Sequence, residues 1–564
     1  MKILFLARHY TYFRNYESVI AALAARGHQL HLAAEREEDL GGREMVERLA
    51  REHAGVSLGW VPSREDAWGD FAIKLRMTID YLRYLDPAYA GAPKLRARAR
   101  ERVPRIGLWL LFVTAARTST GRRVVRAALT ACERAIPRGA KIDEYLREQA
   151  ADVVLFTPLI GLVASPQLDY LQSAKALGYP TALCVWSWDH LSSKAILRNV
   201  PDRIFVWNET QRHEALTLHG VQPEQIVVTG AQCFDQWFDR RPSIDREKFC
   251  RKVGLTGDGP FLLYVCSALF QGSPSEARFV QRWIRAVRTC GLEPLASIPI
   301  VVRPHPARLK EWADVNVSED PGVRLWGRNP VDPDAKADYF DSLHHSAAVV
   351  GLNTSAFLEG AIAGKPVFTT LLPEHYENQE GTIHFHYLLN VGGGLLHAAT
   401  TLDEQCRQLN AALQATEQMS PKSRRFVEAF IRPRGTDVPA SPVFADAVEA
   451  LRGVSRVAGG EQSSHRVLRG VMAPVVSLAS RRVAEPLMLS EHERAIVARQ
   501  RAHRERVDAA WRVKDAHNLS EQQQRDARVA ERARYKADRA AEWRRTKTMK
   551  RFKQRLMKRI GLIS

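Results

Sequence analysis

The chain has 564 residues, 45% of them hydrophobic, and a formal net charge of +19; it is too long for one core and too apolar for a disordered chain, so two domains plus an extension are expected. Its seven cysteines, Cys132, Cys184, Cys233, Cys250, Cys266, Cys290 and Cys406, include no Cys-x-x-Cys pair, so neither a disulfide framework nor a zinc site is expected and a reducing cytoplasm fits. Between Leu487 and Ser564, 22 Lys and Arg face 10 Asp and Glu, and a tail so charged points to an anionic partner surface, phospholipid or nucleic acid.

Lys2–Ala7 alternates into a buried strand, Tyr16–Arg26 has helical spacing up to Gly27, and Gln29–Ala33 reads as a second strand. The intervening loop, Arg8 to Asn15, lies at a strand's carboxyl end, where open α/β sheets bind ligands. His9 in that loop is the first candidate general base, because imidazole titrates near working pH; the alternative is a histidine that only bonds a loop carbonyl. The apolar run Ile3–Ala7 is too short for a signal peptide and is followed by Arg8. Ile106–Ala116, the longest apolar run, falls short of the roughly 20 residues that span a bilayer.

Residues 70–150 break the alternation and read as a helical insertion. Its arginine-dense stretch Lys94–Arg105 runs into the apolar Ile106–Val113, which reads either as a buried helix with a solvated basic flank or as a segment that docks on a membrane. Strands return at Asp152–Phe156 and Pro180–Val185. After the latter come Trp186, Trp188, Asp189, His190 and Lys194. The two indoles suit a sugar ring or a lipid on the acceptor side. Asp189 or His190 is the rival catalytic group, and an aromatic plug between domains is the plainer reading. Arg203–Trp207 and Ile226–Thr229 are strands flanking the helix Glu209–His219. Regularity is lost over Ala231–Pro260, which puts a domain boundary near Arg240.

The pattern restarts with Phe261–Val265, the helix Ser275–Cys290 and the strand Pro299–Val302. That strand delivers Arg303, a guanidinium fork for phosphate, and His305, a candidate catalytic imidazolium that adds a second cation or a proton to the leaving group, in a loop fixed by two prolines. Tyr339–His345 reads as a helix. Val349–Thr370 is then a βαβ unit: a strand, a polar turn Asn353-Thr354-Ser355, a helix Ala356–Ala363 stopped by Gly364, and a strand from Pro366. The turn offers backbone N–H groups and two hydroxyls to a diphosphate, and Glu359 is placed to accept both hydroxyls of a ribose; the alternative is an ordinary crossover whose Ser or Thr caps a helix. The histidines near 375 and 384–386 lack the spacing of a metal site, and none is expected. Gly392-Gly393-Gly394 is a turn without the Gly-Lys-Ser/Thr of a phosphate loop. Helices Leu402–Gln414 and Pro442–Arg452 complete the wrap of this half.

From Gly453 the character changes. Ser455–Ser464 reads as a linker, and the rest is helical without apolar heptads. In its final segment Met549, Phe552, Leu556, Ile560 and Ile563 recur every three or four residues opposite a basic face, the pattern of a helix lying on a membrane surface.

The pattern Ser355, Glu359, Gly364, Lys365, Pro366, Val367, together with Arg303-Pro304-His305-Pro306 and the Ala7–Gly27 stretch, resembles GT-B glycosyltransferases and the similar CDP-glycerol glycerophosphotransferase and capsule-polymer transferase group. The resemblance covers most of residues 1–450. It implies an α/β GT-B fold: two doubly wound Rossmann-like domains facing a cleft, an acceptor-side domain over 1–240 and a donor domain over 241–453, with a helical basic extension over 454–564. It also carries Ser267 over as a contact to the donor phosphates. The expected function is metal-independent transfer of a sugar from a nucleotide diphosphate sugar, a substrate and not a cofactor. The acceptor would be a lipid-linked or surface polysaccharide, lipopolysaccharide or capsule, at the inner face of the cell membrane, with the tail on anionic lipid. The donor would be held by Ser267, Arg303, His305, Asn353, Thr354, Ser355 and Glu359. Alternatives are a CDP-alditol phosphotransferase, a sugar-nucleotide 2-epimerase, and a non-catalytic protein whose tail binds nucleic acid, the last not expected as a partner.

Overall fold

Apolar runs punctuated by glycine and polar turns form two wholly parallel sheets in the computed structural model, which describes residues 1–38, 41–113, 118–163, 165–317, 319–330, 332–415, 420–454 and 463–559. The first sheet has the order β3-β2-β1-β4-β5-β6-β7. Its strands are β1 (Lys2–Ala7), β2 (Gln29–Ala34), β3 (Val56–Trp60), β4 (Val153–Thr157), β5 (Thr181–Cys184), β6 (Arg203–Val206) and β7 (Ile226–Val228). The second has the order β10-β9-β8-β11-β12-β13. It comprises β8 (Leu262–Val265), β9 (Ile300–Arg303), β10 (Val323–Leu325), β11 (Ala348–Val350), β12 (Val367–Thr370) and β13 (Leu396–Ala399). Both are doubly wound α/β sheets as expected, with switch points between β1 and β4 and between β8 and β11. Three strands escaped the sequence reading, β3, β10 and β13. All are sheet edges, short and partly exposed, so none carries the continuous apolar run that marks a strand buried on both faces.

The helices that matter for function are α1 (Glu17–Ala25), α2 (Ala67–Arg83), α3 (Pro93–Arg100), α4 (Arg105–Val113), α5 (Ser119–Ala135), α6 (Pro333–His345), α7 (Ala356–Ile362), α8 (Ala440–Leu451), α9 (Ser463–Ala479), α10 (Glu485–Met488) and α11 (Glu491–Arg559). The sequence assigned α8 to the second half. It packs instead on the first sheet, where Phe444, Ala445, Val448 and Leu451 are buried with Phe5, Tyr16 and Phe205. The Phe444 ring lies 5.0 Å from Phe205 and 5.9 Å from Tyr16. Full burial of such a side chain stabilises by about 1.5–3 kcal/mol, so an aromatic and two aliphatic anchors hold the returning segment firmly. Asp235 fastens the same crossing: its carboxylate accepts from the N–H groups of Ala440 (3.0 Å) and Ser441 (2.6 Å) and pairs with Arg432 at 3.1 Å.

The insertion α2–α5 is tied to the first sheet by buried charges. Arg76 donates to Asp169 at 2.9 and 3.1 Å and to Glu133 at 2.9 Å, while Arg198 reaches Glu133 at 2.7 Å. Each charge has a partner, which keeps this polar seam from being strongly destabilising.

A tail beginning at residue 454 was expected, and here the structure differs. In α9, Met472 and Val476 are buried, Leu468 packs against α2 and α5, and Arg469 Nε donates to the Ala135 carbonyl at 2.9 Å. The chain separates into units only after Ser490. The second unit is the helix α11, on which Met549, Phe552 and Leu556 are exposed. Ile560 and Ile563 of the expected stripe, and most of the expected linker Ser455–Ser464, lie outside the described residues.

Candidate functional site

Two loops leave the first sheet at its switch point, held together where the Arg8 N–H donates to the Thr157 carbonyl (3.2 Å). The loop after β1 is a 3-10 helix, Tyr10–Asn15, with His9 at its head. The His9 ring packs on Tyr12 at 4.6 Å, Tyr12 stands edge-on to Trp186 at 5.2 Å, and Trp186 lies 6.0 Å from His190. Residues some 180 positions apart thus form one aromatic row at the carboxyl ends of β1 and β5. Burial, helped by Arg36, Arg8 and Arg14, outweighs Glu38 and pushes the His9 imidazole down to about 4. It is therefore neutral at pH 7 and able to accept a proton, but it is a weaker base than the imidazole titrating near working pH that the sequence suggested. In the loop after β4, Leu159 adopts φ +57°, and its N–H donates to Gln167 Oε1 at 2.7 Å. A left-handed leucine beside a switch point is a strained conformation of the kind that clusters at binding sites.

The rival candidates are committed elsewhere. Burial alone would raise the Asp189 carboxyl, but the Lys194 ammonium at 2.7 Å, the neighbouring His384 and the Ser187 hydroxyl at 2.6 Å hold it far below the carboxylate range. So stabilised, it is a poor base. His190 is fully buried with Nε2 3.2 Å from the Ile160 carbonyl, and burial pushes its ring down to about 4. Trp188 is buried edge-on against His384 at 4.8 Å; it plugs the two halves together, whereas Trp186 stays half-buried beside His9. Glu35, which the sequence reading passed over, follows β2 directly. Burial raises its carboxyl to about 7 against the pull of Arg8 and Arg36, and its position at a strand's carboxyl end was the available signal.

In the second sheet Ser267 is wholly buried. Its N–H and hydroxyl donate to Glu276 (2.7 and 3.2 Å), and its oxygen accepts from the Asn353 N–H at 3.0 Å. It braces the turn from below and is not free for a phosphate. Asn353 donates its side-chain amide to the Asn378 carbonyl. Thr354 Oγ1 accepts from the Ala356 N–H at 3.3 Å, while Ser355 is exposed and its side chain makes no cap bond. Gly351 permits this close layout: a Cβ there would sit 2.8 Å from the Val265 carbonyl oxygen. Glu359, on the first turn of α7, accepts a hydrogen bond from the Tyr339 hydroxyl, and burial lifts its carboxyl to about 7.

Arg303 is the clearest correction. It is 5% exposed, pairs with Asp338 at 3.0 Å, lies with its guanidinium 5.1 Å from the Tyr339 ring centroid, and closes on Gly327, where any Cβ would clash. The fork expected to hold a phosphate is spent inside its own domain. His305 caps the following 3-10 helix, its Nδ1 accepting from the Ala307 N–H at 3.2 Å, and burial and Arg308 lower its ring. It is neutral at pH 7 and not the second cation anticipated.

The halves meet directly at Trp188 with His384 and where Lys336 Nζ lies 3.9 Å from Glu17, and to these contacts is added the charge of Arg14. That residue comes from the loop of His9, and its charge bears on Glu359, as does that of Arg240. The residue was visible in the sequence but nothing there placed it opposite Glu359. Among the described residues no group of three or more His, Cys, Asp or Glu is arranged to hold a metal ion.

No protein-family model matches this chain, and no curated protein does. Among solved structures it is similar to UDP-GlcNAc 2-epimerase from Methanocaldococcus jannaschii, at 11% identity over 80% of this chain and 100% of that one with a TM-score of 0.47. It is similar to UDP-GlcNAc 2-epimerase from Neisseria meningitidis bound to UDP-GlcNAc, at 10% identity over 80% and 100% with a TM-score of 0.47. A glycosyltransferase from Rickettsia africae is 11% identical over 85% of this chain and 99% of that one, with a TM-score of 0.40. At such identities and scores these likenesses carry no argument about substrate or reaction.

Proposed function

We propose that the protein transfers a sugar from a nucleotide diphosphate sugar to a saccharide acceptor of a surface polysaccharide presented at the inner membrane face. The observation that carries this reading is that the two switch points share one charged neighbourhood: the charge of Arg14, in the carboxyl-end loop of one doubly wound sheet, bears on Glu359, in the helix after the switch point of the other, and Lys336 Nζ on α6 lies 3.9 Å from Glu17 on α1. Glu359 takes the ribose hydroxyls, and Thr354 and Ser355 take the diphosphate, with Arg14 as a cation for it. From the first sheet, His9 removes the proton of the acceptor hydroxyl, whose oxygen bonds to the anomeric carbon. The bond from that carbon to the diphosphate breaks, and the nucleoside diphosphate leaves with the electron pair. Trp186 offers a face to the acceptor sugar. No step uses a metal; the basic groups neutralise the departing charge.

The alditol-phosphate alternative rested on the Arg303–His305 pair, and the buried Arg303–Asp338 bridge removes its support. Incubation with radiolabelled UDP-sugars and with CDP-glycerol tests the reading. Release of UDP dependent on a glycan acceptor supports it. Release of CMP, or acceptor-free interconversion of the UDP-sugar, overturns it.

A further inference from the structure

Two helices of the first unit and a short third one leave apolar side chains in solvent on one side while burying them on the other. In α4, Leu108 and Leu111 pack with Tyr81, Leu82 and Val103, yet Ile106, Trp109 and Phe112 are 40%, 61% and 67% exposed. In α9, Met472 and Val476 are buried, but Val467, Val471, Val475 and Leu478 are each more than half exposed. Helix α10 packs against α4, and Ser490 bridges to Pro104, so α10, which follows α9 in the chain, is the neighbour of α4. Leu487 on α10 and Val483 just before it are 50% and 89% exposed. A soluble surface scatters such residues singly; here they collect on adjoining elements.

The charge around them says what covers them. Residues 93–112 and 463–490 hold ten Lys and Arg against two Glu. Arg96, Arg100, Arg105, Arg481 and Arg482 are all exposed. Beside α4, α3 sets Arg96 and Arg100 along a groove of about 490 Å³ that Tyr81 and Tyr89 also line. Exposed apolar side chains including a tryptophan, beside exposed arginines, match the boundary between acyl chains and anionic headgroups. No helix among the described residues is long and apolar enough to cross a membrane, so the fit is to a face that lies on the bilayer.

We infer that α4, α9 and α10 form a docking face for an anionic phospholipid bilayer, with their apolar side chains at the acyl boundary and the arginines of α3 and the α9–α10 turn among the headgroups. This takes up the membrane-side placement proposed above and gives it a surface, independent of donor chemistry. It also moves the anchor from the tail stripe to the body that carries His9.

The test uses the full chain and vesicles of phosphatidylcholine with or without phosphatidylglycerol. Flotation is compared for the intact protein, Trp109→Ser/Phe112→Ser, Val471→Ser/Val475→Ser, and the tail variant Phe552→Ser/Leu556→Ser, each with every charge kept. Thermal unfolding and UDP affinity are read on the same preparations, so that loss of fold and loss of the donor site are seen separately. The inference expects binding that needs phosphatidylglycerol, at least a ten-fold drop in partitioning for both face variants, and near-intact binding for the tail variant. Unchanged flotation of the face variants overturns it, as does loss confined to the tail variant. A dimer that the face variants convert to monomer without any effect on flotation assigns the surface to a second copy and equally overturns it. None of these outcomes bears on whether UDP binds.

Discussion

The Tyr339 hydroxyl donates to a carboxylate oxygen of Glu359, joining the helix before β11 to the helix after it. Burial raises Glu359 to about 7, and this hydrogen bond, with Arg14, Arg240 and Arg303, restrains the rise. Ribose hydroxyls donating to the carboxylate favour the ionised form, so nucleotide binding should tighten as pH rises from 6 to 8. In Tyr339→Phe the same limb should move to higher pH, because a bond favouring the carboxylate is lost. Glu359→Gln should weaken UDP by about 1.5–3 kcal/mol and lose the pH dependence. Calorimetric titration at three pH values reads all of this, and a pH-independent affinity in the native protein would rule out Glu359 as the ribose ligand.

His9→Ala should lower kcat by about 10²–10⁴ with little change in UDP affinity, since the base acts on the acceptor. Because burial holds His9 down at about 4, its deprotonated form is present throughout the neutral range, and the acid limb of kcat/KM should lie near pH 4 to 5, well below an ordinary histidine's. A limb near 6.5, or activity within a few-fold of native in the variant, would remove His9 from the chemistry.

Arg303→Ala should act on stability before binding. The substitution removes one partner of the Asp338 carboxylate, itself only 7% exposed, which keeps Lys252 at 3.0 Å and the Trp326 N–H at 2.9 Å, so the loss should stay below the about 3–5 kcal/mol of a buried charge left unpaired. Denaturant unfolding should show that loss while the remaining folded protein keeps its UDP affinity. A variant of native stability with weakened UDP binding would return Arg303 to the donor site.

Glu276 supplies a pH test of the bracing beneath the turn. Burial raises its carboxyl to about 8, although the Ser267 N–H, the Ser267 hydroxyl and the Tyr264 hydroxyl all favour the carboxylate. A folded value above the unfolded one means stability that is full below about pH 4.5 and lost as pH rises through about 8. Tm should therefore fall between about pH 5 and 8 in the native protein, level off above that, and fall less in Glu276→Gln. Parallel curves for the two proteins would contradict the assignment.

Local pattern alone determined the two doubly wound sheets, the turn Asn353–Ser355 and the position of His9, because a strand buried on both faces needs a continuous apolar run and a switch-point loop must follow it. The edge strands β3, β10 and β13 lack that run and stayed hidden. Whether Arg303 or Asp189 is free depended on Asp338 and Lys194, which no periodicity pairs with them. A guanidinium reads the same in sequence whether it faces a ligand or a buried carboxylate; only packing distinguishes them, through the desolvation that forces every buried charge to find a partner. The same holds for α9, whose apolar residues read as part of a tail. Tertiary contact with α2 and α5 divided its side chains into a buried set and an exposed set, and so made a surface out of what sequence could describe only as a composition.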